Sequence, residues 1–145
     1  ASQLIAIDTN LLIYAHRARM PQHRAAREAL ESASGDGKSW GTPAPCLLEF
    51  WSVVTHPNSD SRPSSPREAQ GFIRSLQRAG LRVWSPGDDA WERTVDLALE
   101  QSIRGRRIFD LHIGLVALEH GATEIWTHDE KFIRLDGLKI RDPLA

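Results

Sequence analysis

The chain has one cysteine, one methionine and one tyrosine among its 145 residues. Cys46 has no partner for an internal disulfide, and no Cys pair is present for a structural zinc site. A disulfide scaffold and a zinc ribbon are therefore excluded, and a reducing, cytoplasmic compartment is expected. Long apolar runs are also missing. Leu11 to Ala15 and Ile113 to Leu118 fall far short of the roughly 20 residues that a membrane span needs. Asp8 interrupts the apolar run Leu4 to Ile7 and no basic segment precedes it, so no secretory signal is expected, although a start without Met leaves room for a trimmed segment. Neither charge sign dominates: 18 basic against 19 acidic residues leave a net of −1. A nucleic-acid partner would then need a local basic patch. What is present is a globular composition, 41% hydrophobic and 26% charged, sufficient for a single domain over residues 1–145 with its own core.

Short apolar runs rich in β formers alternate with longer segments of helical periodicity, the pattern of βαβ units around a parallel sheet. Leu4 to Ile7 reads as a buried strand, followed by a helix from about Asp8–Asn10 to Arg17. His23 to Ser34 reads as a second helix that stops at the turn formers Gly35-Asp36-Gly37. Trp40 falls in a short strand, after which Pro43 and Pro45 open a helix carrying Leu47, Leu48, Phe50, Trp51, Val53 and Val54. That helix is apolar on more than one side, so it is expected to pack on the sheet and on a further surface such as a second subunit. His56 to Ser65 has no periodic apolar pattern and is expected to be a mobile surface loop. Ser65-Pro66-Arg67-Glu68 combines an N-cap, a proline at the first helical position and a capping-box Glu, predicting a helix that ends at Gly80. A strand over Leu81 to Trp84 follows, then a helix capped by Asp88 or Asp89 that runs to about Ser102. Ile103 to Phe109 reads as a basic loop before a helix from Asp110 to His120, which Gly121 stops. Glu124 to Thr127 and Leu138 to Ile140 read as the last strands.

Four acids stand out by position. Asp8 ends a strand and starts a helix, which puts it at the carboxyl edge of the sheet, where open α/β folds bind ligands; helix capping alone also accounts for it. Asp129 repeats that junction after Glu124 to Thr127. Asp110 opens a mostly apolar helix, again as a site residue or as an N-cap. Glu49 stands among large apolar residues, where a charge calls for a paired Arg or a metal. Carboxylates gathered in one cleft would repel one another unless a divalent cation neutralised them, and an oxygen-only set suits Mg²⁺ or Mn²⁺. Arg104, Arg106 and Arg107 form the densest basic cluster, either a phosphate-binding patch or a solvated loop, with Arg17, Arg19 and Arg62 as weaker candidates. The histidines form no H-x₃-H pair and read as structural or surface residues, His112 and His128 merely flanking acids. The tryptophans do not cluster with basic residues and read as core or interface.

Asp8-Thr9-Asn10 after a short strand, Glu49 in the third helix, Asp110 in a late helix ending Glu119-His120-Gly121, and Thr127-His128-Asp129 after the next strand together resemble a PIN domain. Their order and spacing, over essentially the whole chain, are most similar to a VapC-type toxin ribonuclease of a bacterial toxin–antitoxin pair. The resemblance implies a PIN-like three-layer α/β/α domain with a central, mainly parallel sheet. It implies a site of Asp8, Glu49, Asp110 and Asp129 holding Mg²⁺ or Mn²⁺ for endonucleolytic cleavage of RNA, with Asn10 and Thr127 as polar supports of the cleft. It also implies a homodimer, and a small antitoxin whose tail places an Arg among the carboxylates. Lys131 departs from the pattern, because many relatives carry an acid there, so one firm metal site is expected. Asp110 or Asp129 would take the proton from the attacking water. Two other readings remain. A haloacid-dehalogenase-like phosphatase requires an acid where Asn10 stands, which makes it a poor match, whereas a PIN-like module that binds nucleic acid or protein without catalysis would need no intact acids.

Overall fold

Alternation of short β-forming runs with amphipathic helices produces the expected βαβ order in the computed structural model, which describes residues 3–35, 38–59 and 62–145. The strands are β1 (Gln3–Ile7), β2 (Lys38–Pro43), β3 (Arg82–Trp84), β4 (Glu124–Trp126) and β5 (Lys139–Arg141). The helices are α1 (Thr9–His16), α2 (His23–Ala33), α3 (Ala44–Val54), α4 (Pro66–Arg78), α5 (Ala90–Glu100) and α6 (Arg107–Glu119). The sheet order is β3-β2-β1-β4-β5 and every pairing is parallel.

A parallel sheet needs both faces covered, and the alternation of side chains along β1 shows how that is met. Ile5 and Ile7 join a core with Leu11 and Leu12 of α1, Leu30 of α2, Phe50 of α3 and Leu76 of α4. Ala6 faces the other way, into a second core with Ile113, Val116 and Ala117 of α6 and Ile125 of β4. The result is three layers, with α5 leaning on α6 through Ala98 and Leu111.

The chain leaves β1 toward β2 and β3, then returns to place β4 on the opposite side of β1. That reversal makes a switch point, and open α/β sheets hold their ligands in the crevice at the carboxyl ends of such strands. Here the two ends are tied by a 3.0 Å bond from the Asp8 amide to the Trp126 carbonyl.

Several local expectations need correcting. α6 begins at Arg107, three residues before Asp110, so Asp110 lies inside the first turn and is not an N-cap; the N-cap position is Arg106, with no side-chain cap. The basic segment is correspondingly half helix. Segment 56–65 is irregular as expected, but its described part is tied down: the Ser64 amide donates to the Val54 carbonyl at 2.8 Å, and Arg17 donates to the carbonyls of Val54 and Arg62 and to the Ser59 hydroxyl. The predicted stop at Gly35-Asp36-Gly37 lies in part outside the described residues; α2 has its C-cap at Ser34.

Candidate active site

Asp8 is the N-cap of α1, buried at the end of β1. Its Oδ1 accepts from the Thr9 amide at 2.8 Å and faces the Cys46 thiol at 3.9 Å. Its Oδ2 accepts from the Thr127 hydroxyl at 2.8 Å and from the Asn10 amide at 3.3 Å. Each oxygen thus has one short bond and one long, weak contact, leaving a lone pair that a stronger partner can claim. The supports hold one another: Asn10 Nδ2 donates to Thr127 Oγ1 at 3.0 Å, Asn10 Oδ1 accepts from the His128 amide at 3.0 Å, and Thr127 Oγ1 accepts from the Asp129 amide at 3.1 Å. The β4–Asp129 turn is thereby fixed against α1.

The other acids arrive on three further elements. Asp110 is half-buried in the first turn of α6, Asp129 is exposed just after β4, and Glu49 is exposed on α3. The exposure of Glu49 overturns the premise that it is a charge in the core needing an Arg; among the described residues it has no ion pair. Its place on the helix face that also shows Leu48 and Ser52 is why its apolar neighbours in sequence misled. Electrostatically the four act together. Burial pushes the Asp8 carboxyl up, its bonds from Thr127 and Thr9 oppose this, and the charges of Glu49 and Asp129 push it further. Asp110 is raised to about 6, by burial first and then by Asp8, Asp129 and Glu49, with Arg107 opposing. Among the described residues no three His, Cys, Asp or Glu side chains close into a cage by themselves. The donor set is nonetheless oxygen-only and lacks sufficient opposing charge, a chemistry that fits a hard divalent cation completing its shell with water.

Arg104, Arg106 and Arg107 are all exposed at the entry to α6. Arg17 is buried and its guanidinium is committed to the 56–65 segment, so it is removed from the candidate phosphate contacts. His128 is more than a flanking residue: its Nδ1 lies 2.9 Å from Asp142 Oδ2 and its ring packs edge-on to Tyr14. Three tryptophans, Trp40, Trp84 and Trp126, are core, while Trp51 and Trp91 are exposed. Cys46 is the residue that sequence reasoning passed over. It is fully buried on α3 with its thiol toward Asp8, and no local signal in the sequence joins the two.

The PIN domain family matches residues 5–138. Ribonuclease VapC43 of Mycobacterium tuberculosis is 34% identical over 143 residues, covering 97% of this chain and 96% of the relative. Among solved structures, Mycobacterium tuberculosis VapC20, described as a Sarcin-Ricin loop cleaving toxin, is similar in fold with a TM-score of 0.68 at 17% identity, over 88% of this chain and 92% of that one. VapBC2 from Rickettsia felis, solved with a DNA fragment of its promoter, has a TM-score of 0.67 at 19% identity over 96% and 98%. With this likeness along nearly its whole length, the chain belongs to the PIN domain family and, within it, to the VapC ribonucleases.

Proposed function

We propose that the chain is a Mg²⁺- or Mn²⁺-dependent endoribonuclease, the toxin of a toxin–antitoxin pair, and that Asp8, Glu49, Asp110 and Asp129 form its site. The observation that carries this reading is that burial first, and then the charges of Asp8, Asp129 and Glu49, lift Asp110 to about 6. Arg107 offsets only part of that rise, whereas a divalent cation held by these carboxylates would remove the repulsion. When bound, the cation would lower the pKa of a water molecule and neutralise charge building on the phosphate. Asp8, fixed by Thr9 and Thr127, supplies a rigid oxygen pair, and Asn10 and Thr127 hold the backbone of the turn that carries Asp129. Asp110 or Asp129 accepts the proton lost by the attacking water as its oxygen bonds to phosphorus. The phosphorus–oxygen bond to the leaving ribose then breaks, and that oxygen takes up a proton. Arg104, Arg106 and Arg107 hold flanking phosphates.

Inhibition by a small antitoxin is most simply achieved by an Arg seated among the same carboxylates. One solved relative in fold is a toxin–antitoxin complex from Klebsiella pneumoniae and another is a member of the VapBC family of toxin–antitoxin systems, which supports such a partner. A homodimer is supported by the apolar residues left in water on α3 and α5, Trp51 and Val53 on one and Trp91, Val95 and Leu99 on the other. No helix among the described residues is long and apolar enough to cross a membrane.

The test is to map new RNA 5′ ends after incubating total RNA with the antitoxin-free protein and Mg²⁺ or Mn²⁺, beside Asp110→Asn. Discrete cuts that vanish with EDTA and with the variant are expected. A folded wild-type protein giving the same ends as its variant would overturn catalysis and favour a binding module.

A further inference from the structure

Beside the acids lies a cavity of which the proposed chemistry uses only Glu49 and Arg106. It encloses about 390 Å³ between α3 and the start of α6, with Leu48, Glu49 and Ser52 on one wall and Arg106, Phe109 and His112 on the other. Glu49 belongs to both the cavity and the acid cluster, so the two are continuous. Phe109 directly precedes Asp110 and is 55% exposed, an aromatic ring that folding has left in water. The Arg106 guanidinium lies over that ring, 5.7 Å from its centroid. His112 lines the same wall, with its Nδ1 3.0 Å from Thr94 Oγ1.

We propose that this cavity is a nucleotide subsite, taking one unpaired base of a single-stranded RNA next to the phosphate to be cut. The base stacks on Phe109 and Arg106 holds its flanking phosphate. This rests on the ribonuclease reading and deepens it. Single-stranded RNA is recognised by stacking on exposed aromatic rings together with cationic side chains, and Phe109 with Arg106 supplies both beside the acids.

Binding can be read without cleavage, by fluorescence anisotropy of labelled A, C and U pentanucleotides on the full chain in EDTA. Phe109→Ala is expected to weaken binding about 5- to 100-fold, the effect of one lost stack. Phe109→Trp should restore it. Sedimentation of each variant runs alongside. Unchanged affinity in Phe109→Ala overturns the subsite. So does a loss that coincides with dissociation of a dimer, which would make the face an interface between copies. Should the wild type cut RNA while Phe109→Ala binds normally, only the subsite fails; should it bind through Phe109 and cut nothing, the subsite stands and the nuclease reading fails.

Discussion

A carboxylate that is both buried and surrounded by other carboxylates is held at a cost in the charged form, and Asp110 makes that cost measurable. Its pKa is raised from 3.8 to about 6. Between those values the folded protein keeps a proton that the unfolded chain has lost, so stability falls as pH rises through that window and levels off above it. Metal-free protein is therefore expected to lose urea resistance from about pH 4 to 6, whereas Asp110→Asn should show a flatter profile. Denaturation midpoints in EDTA across that range provide the check, and parallel profiles for the two proteins would rule out Asp110 as the source. The place of Asp8 was legible in the sequence, because a strand that ends in Asp and opens a helix fixes where the acid stands, whereas Asn10 was singled out only by the family resemblance. Glu49 was legible as anomalous but for the wrong reason, since it is exposed. Cys46 was not legible, because its contact with Asp8 joins a strand end to a helix 38 residues on.

Elements carry the site only if the strands and helices hold their spacing. β2 and β3 pair with Gly41 opposite Arg82, and a Cβ on Gly41 would come within 2.4 Å of the Trp84 ring. Trp84 is buried and cannot swing aside cheaply. Gly41→Ala is expected to cost about 1–3 kcal/mol or more, as overpacking does. Chemical denaturation would show it as a lower midpoint, and an unchanged midpoint would mean that the ring has room to move. Element boundaries were readable where a local signal exists. The capping box of α4 is formed in both directions, Ser65 Oγ accepting from the Glu68 amide at 3.1 Å and Glu68 Oε1 from the Ser65 amide at 2.9 Å. The start of α6 offered no such signal. Arg106 stands at the N-cap without a side-chain bond, and the Arg, Ile and Phe that follow are ordinary helix residues, so Asp110 was the only plausible cap in the sequence.

At the scale of the molecule, the parallel sheet was legible in the alternation of elements, but the strand order was not, because nothing local to β4 says on which side of β1 it will lie. That placement brings Thr127 and Asp129 to Asp8, so the site is a property of topology as much as of its four acids. A divalent cation held by the proposed acids would join the ends of β1 and β4 to α3 and α6 only in the folded chain, and would stabilise it by linkage. At a hundred times its dissociation constant the gain is about 2.7 kcal/mol. For a chain of this size each kcal/mol raises the melting temperature by about 2–4 °C. Saturating Mg²⁺ or Mn²⁺ is thus expected to raise it by roughly 5–11 °C, with EDTA reversing the shift. Asp8→Asn and Asp110→Asn should lose most of it, because each removes one charge from the site. General screening of a crowded anionic cleft would also stabilise the fold, but it depends on ionic strength and not on valence at a fixed position. Potassium chloride at matched ionic strength separates the two, and an equal rise with potassium, or an undiminished one in both variants, would show that the acids repel one another without holding an ion.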